Sequence, residues 1–397
     1  MKKTIFPFGA VILILTACQQ LTAQSVDKKA VNLTDVAFTV EAAPEWSVLL
    51  KRNVGWFGAD GIYTIPLNGR EHQQARDSQK TLFVFSDSMI GEVTDSTMLP
   101  GYKMIHNSVA YLTSNRPDSS HIKFYWDKGK DGKPESLFIP HTSKTQPGDY
   151  FWLGDGFYNQ ATHATYIFGY RIHNVNEGAF GFKEVGNVII KLPANSQPPY
   201  RDQEQMDTPF YLDSNNEIGS FGAGIFVNTA ESGARHPDGY IYVYGVIGLA
   251  KKLVVARVKP MDFEHFDQWT FWDGKTWAKD IQKAAPVTDR VSNELSLTIL
   301  PDGRYALVFQ EGGMSTTVGM RIGASPVGPF GPIIKLWDCG KDIEEKTFLV
   351  YNAKAHPTLS APGELLITYN VNSAEFIKDL NKHPHLYRPR FIRVKFK

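Results

Sequence analysis

Three carboxylates set into apolar strand carry the clearest chemical signal in this chain. Asp60 lies in WFGADGIYTIPL, Asp155 in WLGDGFY and Glu294 in VSNELSLTIL. Asp-Gly is among the commonest turn dipeptides, so each aspartate alone reads equally well as turn chemistry. Two copies at matching places, each with apolar strand running on past it, favour a shared role. Glu294 sits where an unpaired buried charge would cost roughly several kcal/mol. Either Arg290 and Asn293 satisfy it, or it faces a cleft with a raised pKa and serves as a general acid. Asp60 then supplies the base or nucleophile. Asp87, between two serines in LFVFSDSMIG, either caps a turn or reaches the same cleft. Asp302, in a Pro-Asp-Gly turn, is set aside.

Residues of other types could hold a ligand beside these carboxylates. Asn107 enters a strand in MIHNSVAY, suited to bonding a hydroxyl or Asp60. Asn352, Lys354 and His356 in YNAKAHPTLS have period-two spacing and so share one face of a strand. Trp56 and Trp152, with Trp272 further on, are candidate platforms for a sugar ring. Paired carboxylates in an aromatic-rich cleft are what hydrolysis of a glycosidic bond requires. No HExxH, GxSxG, Walker loop, CxxC, EF-hand loop or sialidase Asp-box occurs, so zinc, serine and nucleotide chemistry are poor fits.

The elements that must position these groups repeat. Five times a strand with a polar centre is followed by an aromatic-rich strand: GADGIYTIPL with KTLFVFSDSMIG, DYFWLGDGFY with ATYIFGYRI, FGAGIFVNTAE with GYIYVYGVI, SNELSLTIL with GRYALVFQEGG, and YNAKAHPTLS with GELLITYNVNS. Fixed-order self-similarity marks a repeat architecture, and radial β blades would bring the polar centres to one mouth of a central channel. The expected fold is all-β, a five-bladed β-propeller, with blades near 55–115, 120–175, 180–258, 265–330 and 331–397. The final RPRFIRVKF is expected to pair with DVAFTVE and close the ring. Two short helical patterns, 276–284 and 374–382, belong in loops between strands.

The 397 residues include 42 basic and 41 acidic side chains, a net charge of +1, which offers nothing to attract nucleic acid. Lys2 and Lys3 precede an apolar run too short to span a bilayer, and Leu15-Thr16-Ala17-Cys18 resembles a bacterial lipobox. Residues 1–17 therefore read as a signal peptide, Cys18 as a lipidation site, 18–45 as tether and first strand, and 46–397 as the propeller. The expected setting is the bacterial cell envelope, with a lipid anchor to the membrane. Cys339 then stands alone, with no disulfide framework and a structural role. A monomer without a cofactor or catalytic metal is expected, although a structural cation on the axis would suit the fold.

On ADGIYTIPL, LFVFSDS, HNSVAYL, VARVKPMDFEHFDQWTFWDGKTW, GASPVGPFGPI and YNAKAHPTLS, the chain resembles a family of bacterial secreted propellers catalogued as a domain of unknown function, which includes endo-D-arabinofuranases. More distantly it is similar to five-bladed hydrolases of the arabinanase and levanase type. The resemblance implies Asp60 as base or nucleophile, Asp155 as the residue tuning proton affinity, and Glu294 as acid, acting on a carbohydrate. A surface glycan-binding lipoprotein and a polysaccharide lyase using His356 as base are the alternatives.

Overall fold

Alternating aromatic and β-branched residues favour pleated, half-buried strands, and apart from short helices at Pro44–Leu49 and Phe376–Lys382 and a few 3-10 turns, the described chain is strand and loop. The computed structural model describes residue 1 and residues 31–72, 80–114, 116–176, 178, 181–214 and 217–397. The expected signal peptide over 1–17 and the expected lipidation site Cys18 lie outside the described residues. Residues 33–397 form one unit.

The strands group into antiparallel sheets in chain order. The first is broken into two halves: Val54–Ala59, Ser88–Glu92 and Lys103–Ile105 make one, and Tyr63–Pro66, Thr81–Phe85, Ser108–Leu112 and Ile122–Tyr125 the other. The second sheet runs Tyr150–Asn159, Ala164–Asn174, Phe182–Leu192, Glu204–Asp207. The third is six-stranded, from Tyr211–Ser214 and Glu217–Asn228 out to Thr270–Trp272 and Trp277–Ala278. Leu295–Ile299, Tyr305–Gln310, Thr317–Gly323 and Ile334–Asp338 make the fourth. The fifth combines Phe348–Ala355, Glu364–Ser373 and Arg390–Phe396 with the N-terminal Phe38–Ala42. Phe38 pairs with Phe396 and Ala42 with Ile392, so the expected pairing of the two ends is present.

Several boundaries differ from the sequence reading. Phe182–Leu192 belongs to the second sheet, because Gly169 pairs with Val188 across a long hairpin. Likewise Thr270–Trp272 extends the third sheet and Ile334–Asp338 the fourth. The 374–382 pattern is a helix at Phe376–Lys382 between strands, whereas 276–284 supplies the strand Trp277–Ala278 and a 3-10 turn at Ile281–Lys283.

Leading strands touch in succession: Tyr63–Pro66 meets Tyr150–Asn159, which meets Glu217–Asn228, then Leu295–Ile299, then Phe348–Ala355. The 3-10 turn Pro357–Leu359 returns to Tyr63–Pro66. This approach needs small residues, since a Cβ on Gly154 would lie 2.7 Å from the Gly222 carbonyl and one on Gly224 2.9 Å from that of Leu295. Apolar side chains fill the space between sheets. Phe157, Tyr166, Phe168, Phe210, Phe263 and Trp269 form one such layer, in which Trp269 is 1% exposed and donates from Nε1 to the Phe263 carbonyl at 3.1 Å. The DQWTFW segment is thus a packing element, worth about 3–5 kcal/mol at Trp269 if truncated to Ala.

Candidate active site

Three of the five leading strands carry an irregularity of register, at Leu153/Gly156, Phe221/Gly224 and Tyr351/Lys354, and Val54–Ala59 in the first sheet carries one at Trp56/Gly58. A bulge re-aims side chains that the two-residue pleat would otherwise alternate. Asp155 lies inside one of these bulges. The first sheet goes further, breaking across three strands at Asp60–Ile62, Ser86–Asp87 and His106–Asn107. Asp60, Asp87 and His106 stand side by side along that break. The Asp60 N–H donates to the Asp87 carbonyl at 3.2 Å, and the Ser86 N–H to the Asp60 carbonyl at 2.9 Å.

Asp60 accepts a hydrogen bond of 2.6 Å on Oδ2 from the Tyr351 hydroxyl, which itself accepts from Asn372 Nδ2 at 3.0 Å. Burial pushes the Asp60 pKa up to about 8, with the negative charges of Asp87 and Glu294 adding to the rise and the Tyr351 and Tyr387 hydroxyls opposing it. Asp155 has both oxygens held by backbone, Oδ1 by the Gly156 N–H at 2.8 Å and Oδ2 by the Ile225 N–H at 2.7 Å. Its pKa is raised to about 7 by burial, against those amides and Lys354, while Glu294 adds to the rise. Both aspartates keep some accessible surface although protein encloses them.

Glu294 stands just before Leu295–Ile299 and forms an ion pair with Lys354, which is 1% exposed. The Lys354 ammonium also lies 4.5 Å from the Tyr63 ring centroid and donates to the Asn352 carbonyl at 3.2 Å. Burial raises the Glu294 proton affinity and the lysine charge opposes it. The partners expected from sequence are occupied elsewhere: Arg290 pairs with Glu311, and Asn293 accepts from Lys251.

Asp87 and Trp152 belong to this group, joined by a hydrogen bond of 3.0 Å from Trp152 Nε1 to Asp87 Oδ1. His106, which the sequence reading passed over, donates from Nδ1 to the same oxygen at 2.9 Å and stacks on Tyr150 at 3.7 Å. Its signal was its place one residue before Asn107 at a strand entry. Glu184 was missed too; burial lifts its pKa to about 8, and its charge acts on Tyr170 together with those of Glu294 and Asp155.

Other expected site residues have different work. Trp56 is 1% exposed and packs on Phe85 and Phe124, so it offers no face to a ligand. Asn107 is fully buried, tying the first sheet to the second by donating to the Phe138 and Phe151 carbonyls and accepting from the Phe138 N–H. His356 is buried with Nδ1 on Thr64 and Nε2 on Thr368, and burial, then Lys354, lowers its pKa to about 3. A histidine so placed cannot serve as a Brønsted base. Asn352 adopts φ +62° within its bulge, which breaks the period-two face expected for Asn352, Lys354 and His356. It meets the site through its carbonyl on Lys354. Trp272 lies on the outer strands of the third sheet against Trp277. Cys339 is buried, as a structural role requires.

Among the described residues no group of three or more His, Cys, Asp or Glu side chains suits a metal ion. Two surface cavities, one beside Tyr158, Gln160 and Lys259 and the other beside His72, Arg235 and Glu364, border the trailing ends of the leading strands, away from the carboxylates.

A Bacteroides ovatus protein described as a "putative hydrolase" superposes with a TM-score of 0.68 at 18% identity, over 89% of this chain and 90% of that one. At that identity the likeness shows fold alone. An exo-beta-1,3-galactanase of Phanerochaete chrysosporium (TM-score 0.46, 9% identity, 89% of this chain and 64% of that) and an alpha-L-arabinofuranosidase of Clostridium thermocellum (0.39, 11%, 78% and 82%) are too distant to carry weight. No curated protein sequence matches. A family model matches residues 44–396, and the chain belongs to that family, DUF5005, a domain of unknown function.

Proposed function

We propose that the protein is a glycoside hydrolase built as a five-bladed β-propeller, acting on a polysaccharide at the cell envelope. Five groups of strands in chain order, the first of them made of two sheets, with leading strands touching in succession and returning from fifth to first, support the propeller. The Leu15–Cys18 motif supports export and a lipid anchor, and furanose-containing glycans are the first substrates to try.

The observation that carries the chemistry is the unequal environment of two neighbouring carboxyls. Burial raises the proton affinity of both, but only Glu294 has a cation against it, the buried Lys354, which opposes the rise. Titratable pairs whose surroundings push their proton affinities apart mark acid and base. Asp60 therefore donates its proton to the departing glycosidic oxygen. Glu294, as carboxylate, takes a proton from the water that attacks the anomeric carbon. This reverses the roles implied by resemblance, because proton donation by Glu294 would first require breaking its pair with Lys354. Asp155, clamped by two amides, positions the strand and tunes its neighbours. Trp152 presents a half-buried ring beside them.

Product analysis on a polysaccharide panel tests the reading. New reducing ends from the wild type, absent with Asp60→Asn, support hydrolysis. Unsaturated, ultraviolet-absorbing ends would mean a lyase, and binding without product a glycan-binding protein.

A further inference from the structure

We propose that His106, held by Asp87 between the first and second sheets, is a substrate-contacting residue. Its Nε2 accepts a hydrogen bond from a hydroxyl of a neutral sugar unit seated against Trp152, alongside Asp60. The inference rests on the carbohydrate reading and deepens it by naming a contact and a substrate class. Binding is read without turnover, so failure of the contact and failure of the hydrolase are distinguishable.

Two sheets bring the group together and Asn107 keeps them in register. Asn107 donates to the Phe151 carbonyl at 3.1 Å, which fixes His106, one residue before it, against the strand Tyr150–Asn159. Tyr150 and Trp152 flank the buried Phe151 and share the opposite face of the pleat, where both are half-buried. His106 lies flat on Tyr150, with ring centroids 3.7 Å apart and 18° between the planes, and its backbone N–H donates to Ser136 Oγ at 2.9 Å. Asp87 Oδ1 takes the His106 Nδ1–H at 2.9 Å and the Trp152 Nε1–H at 3.0 Å. The Asp60 N–H, on the Asp87 carbonyl at 3.2 Å, ties this group to the strand end that carries Asp60.

Asp87 decides what His106 can do. A neutral imidazole has one N–H and one lone pair, and the bond made at one nitrogen sets the role of the other. The carboxylate takes the Nδ1–H, so Nε2 carries the lone pair. Nε2 has no partner among the described residues, and the side chain is 34% exposed. His356 gives the contrast, since it is buried with both nitrogens bonded to threonines, as a structural histidine should be. Trp152 and Phe182, edge-on with centroids 4.5 Å apart, add half-buried aromatic surface. Apolar walls with a few placed polar groups are what a small-molecule subsite needs. The one charge in the group is the negative Asp87, whose side chain is 18% exposed. A uronate or sulfated unit would meet like charge there, and a neutral unit would not.

The test is ¹⁵N-histidine NMR at about pH 8, where a free imidazole is neutral, on Asp60→Asn protein, chosen so that nothing is consumed. The His106 resonances are those lost in His106→Phe. Without ligand, the ring should carry its proton on Nδ1 and none on Nε2. Neutral arabinan, xylan and galactan oligosaccharides are added in turn, and at least one should shift the Nε2 resonance. Oligogalacturonate should leave it in place. His106→Phe keeps a ring on Tyr150 and loses the acceptor, so calorimetry should show that oligosaccharide binding about two- to tenfold more weakly. Should that variant fail to fold, His106→Leu must show the same loss. His106→Gln, whose amide oxygen can accept near the position of Nε2, should lose less than His106→Phe. The proposal is overturned if Nε2 carries the proton, if no neutral oligosaccharide moves its resonance, or if oligogalacturonate moves it as far. It is equally overturned if His106→Phe binds as tightly as its parent, or if His106→Gln loses as much as His106→Phe. New reducing ends released by the wild type while His106 stays unmoved would sink the contact and spare the hydrolase; binding at His106 without product would do the reverse.

Discussion

Replacing Lys354 with Met probes the most consequential pair in the site. Lys354 is 1% exposed and Glu294 9% exposed, so their charges are carried almost wholly out of water. Met keeps the length and apolar character of the lysine stem and removes only the ammonium. Glu294 is then left in a low-dielectric setting with no counter-charge. Removing one partner of a buried ion pair costs about 3–5 kcal/mol. The cost depends on pH in a stated direction. Without Lys354 the folded-state pKa of Glu294 rises further above its unfolded value, so the folded chain binds a proton that the unfolded chain has released. Stability is therefore lost as pH rises from about 4.3, the ordinary glutamate value, toward neutrality. Urea unfolding of wild type, Lys354→Met, Glu294→Gln and the double variant, at pH 5 and pH 8, gives the assay. Lys354→Met should be the weaker protein at both, with the larger deficit at pH 8. The double variant, with no charge left to bury, should recover about 1–3 kcal/mol relative to the sum of the singles. If Lys354→Met stays within about 0.5 kcal/mol of wild type at both pH values, or if the singles simply add, the two charges are not coupled and the assignment of Glu294 as the ionised partner collapses.

Acid and base can be separated by leaving group. Asp60→Asn should lower kcat on polysaccharide by about 10²–10⁴ and much less on a nitrophenyl glycoside, whose departure barely needs a proton, whereas Glu294→Gln should suffer on both; the opposite pattern would return the acid role to Glu294. Asp60 and Asp155 bind protons in the folded state up to about 8 and about 7, far above their unfolded values, so the melting temperature should fall as pH rises from about 4 to about 8. Asp60→Asn should flatten that fall, and an unchanged slope would mean that Asp60 titrates normally. Asn107→Ala strands the Phe138 and Phe151 backbone groups that it bonds, and should cost roughly 1–3 kcal/mol while leaving KM unaltered; a raised KM at wild-type stability would put Asn107 back among the ligand contacts.

The hairpin pairs were legible because local alternation and turn chemistry write them into the sequence. In one such turn Gly239 takes φ +78° and Asp238 Oδ1 accepts the Tyr240 N–H. The pairing of FTVEA with the last strand was legible because a ring closed by its two ends leaves no open sheet edge. Asp60, Asp155 and Glu294 stood out because each interrupts apolar strand. What escaped depends on contacts between sheets. The bulges at Tyr351/Lys354 and Leu153/Gly156 re-aim Lys354 and Asp155, and no local pattern records them. Trp56 and Trp152 have similar sequence surroundings, yet Phe85 and Phe124 cover one ring while the other stays half-buried. His106 acquires meaning only once the break in the first sheet sets it beside Asp87.

In the proposed reaction water cleaves a glycosidic bond at Asp60 and Glu294. Digestion of polysaccharide in ¹⁸O-labelled water, with mass spectrometry of the released sugars, tests it most directly. One ¹⁸O should enter each new reducing end with the wild type, and none above background with Asp60→Asn. Products without label, or label released equally by Asp60→Asn, would contradict the account.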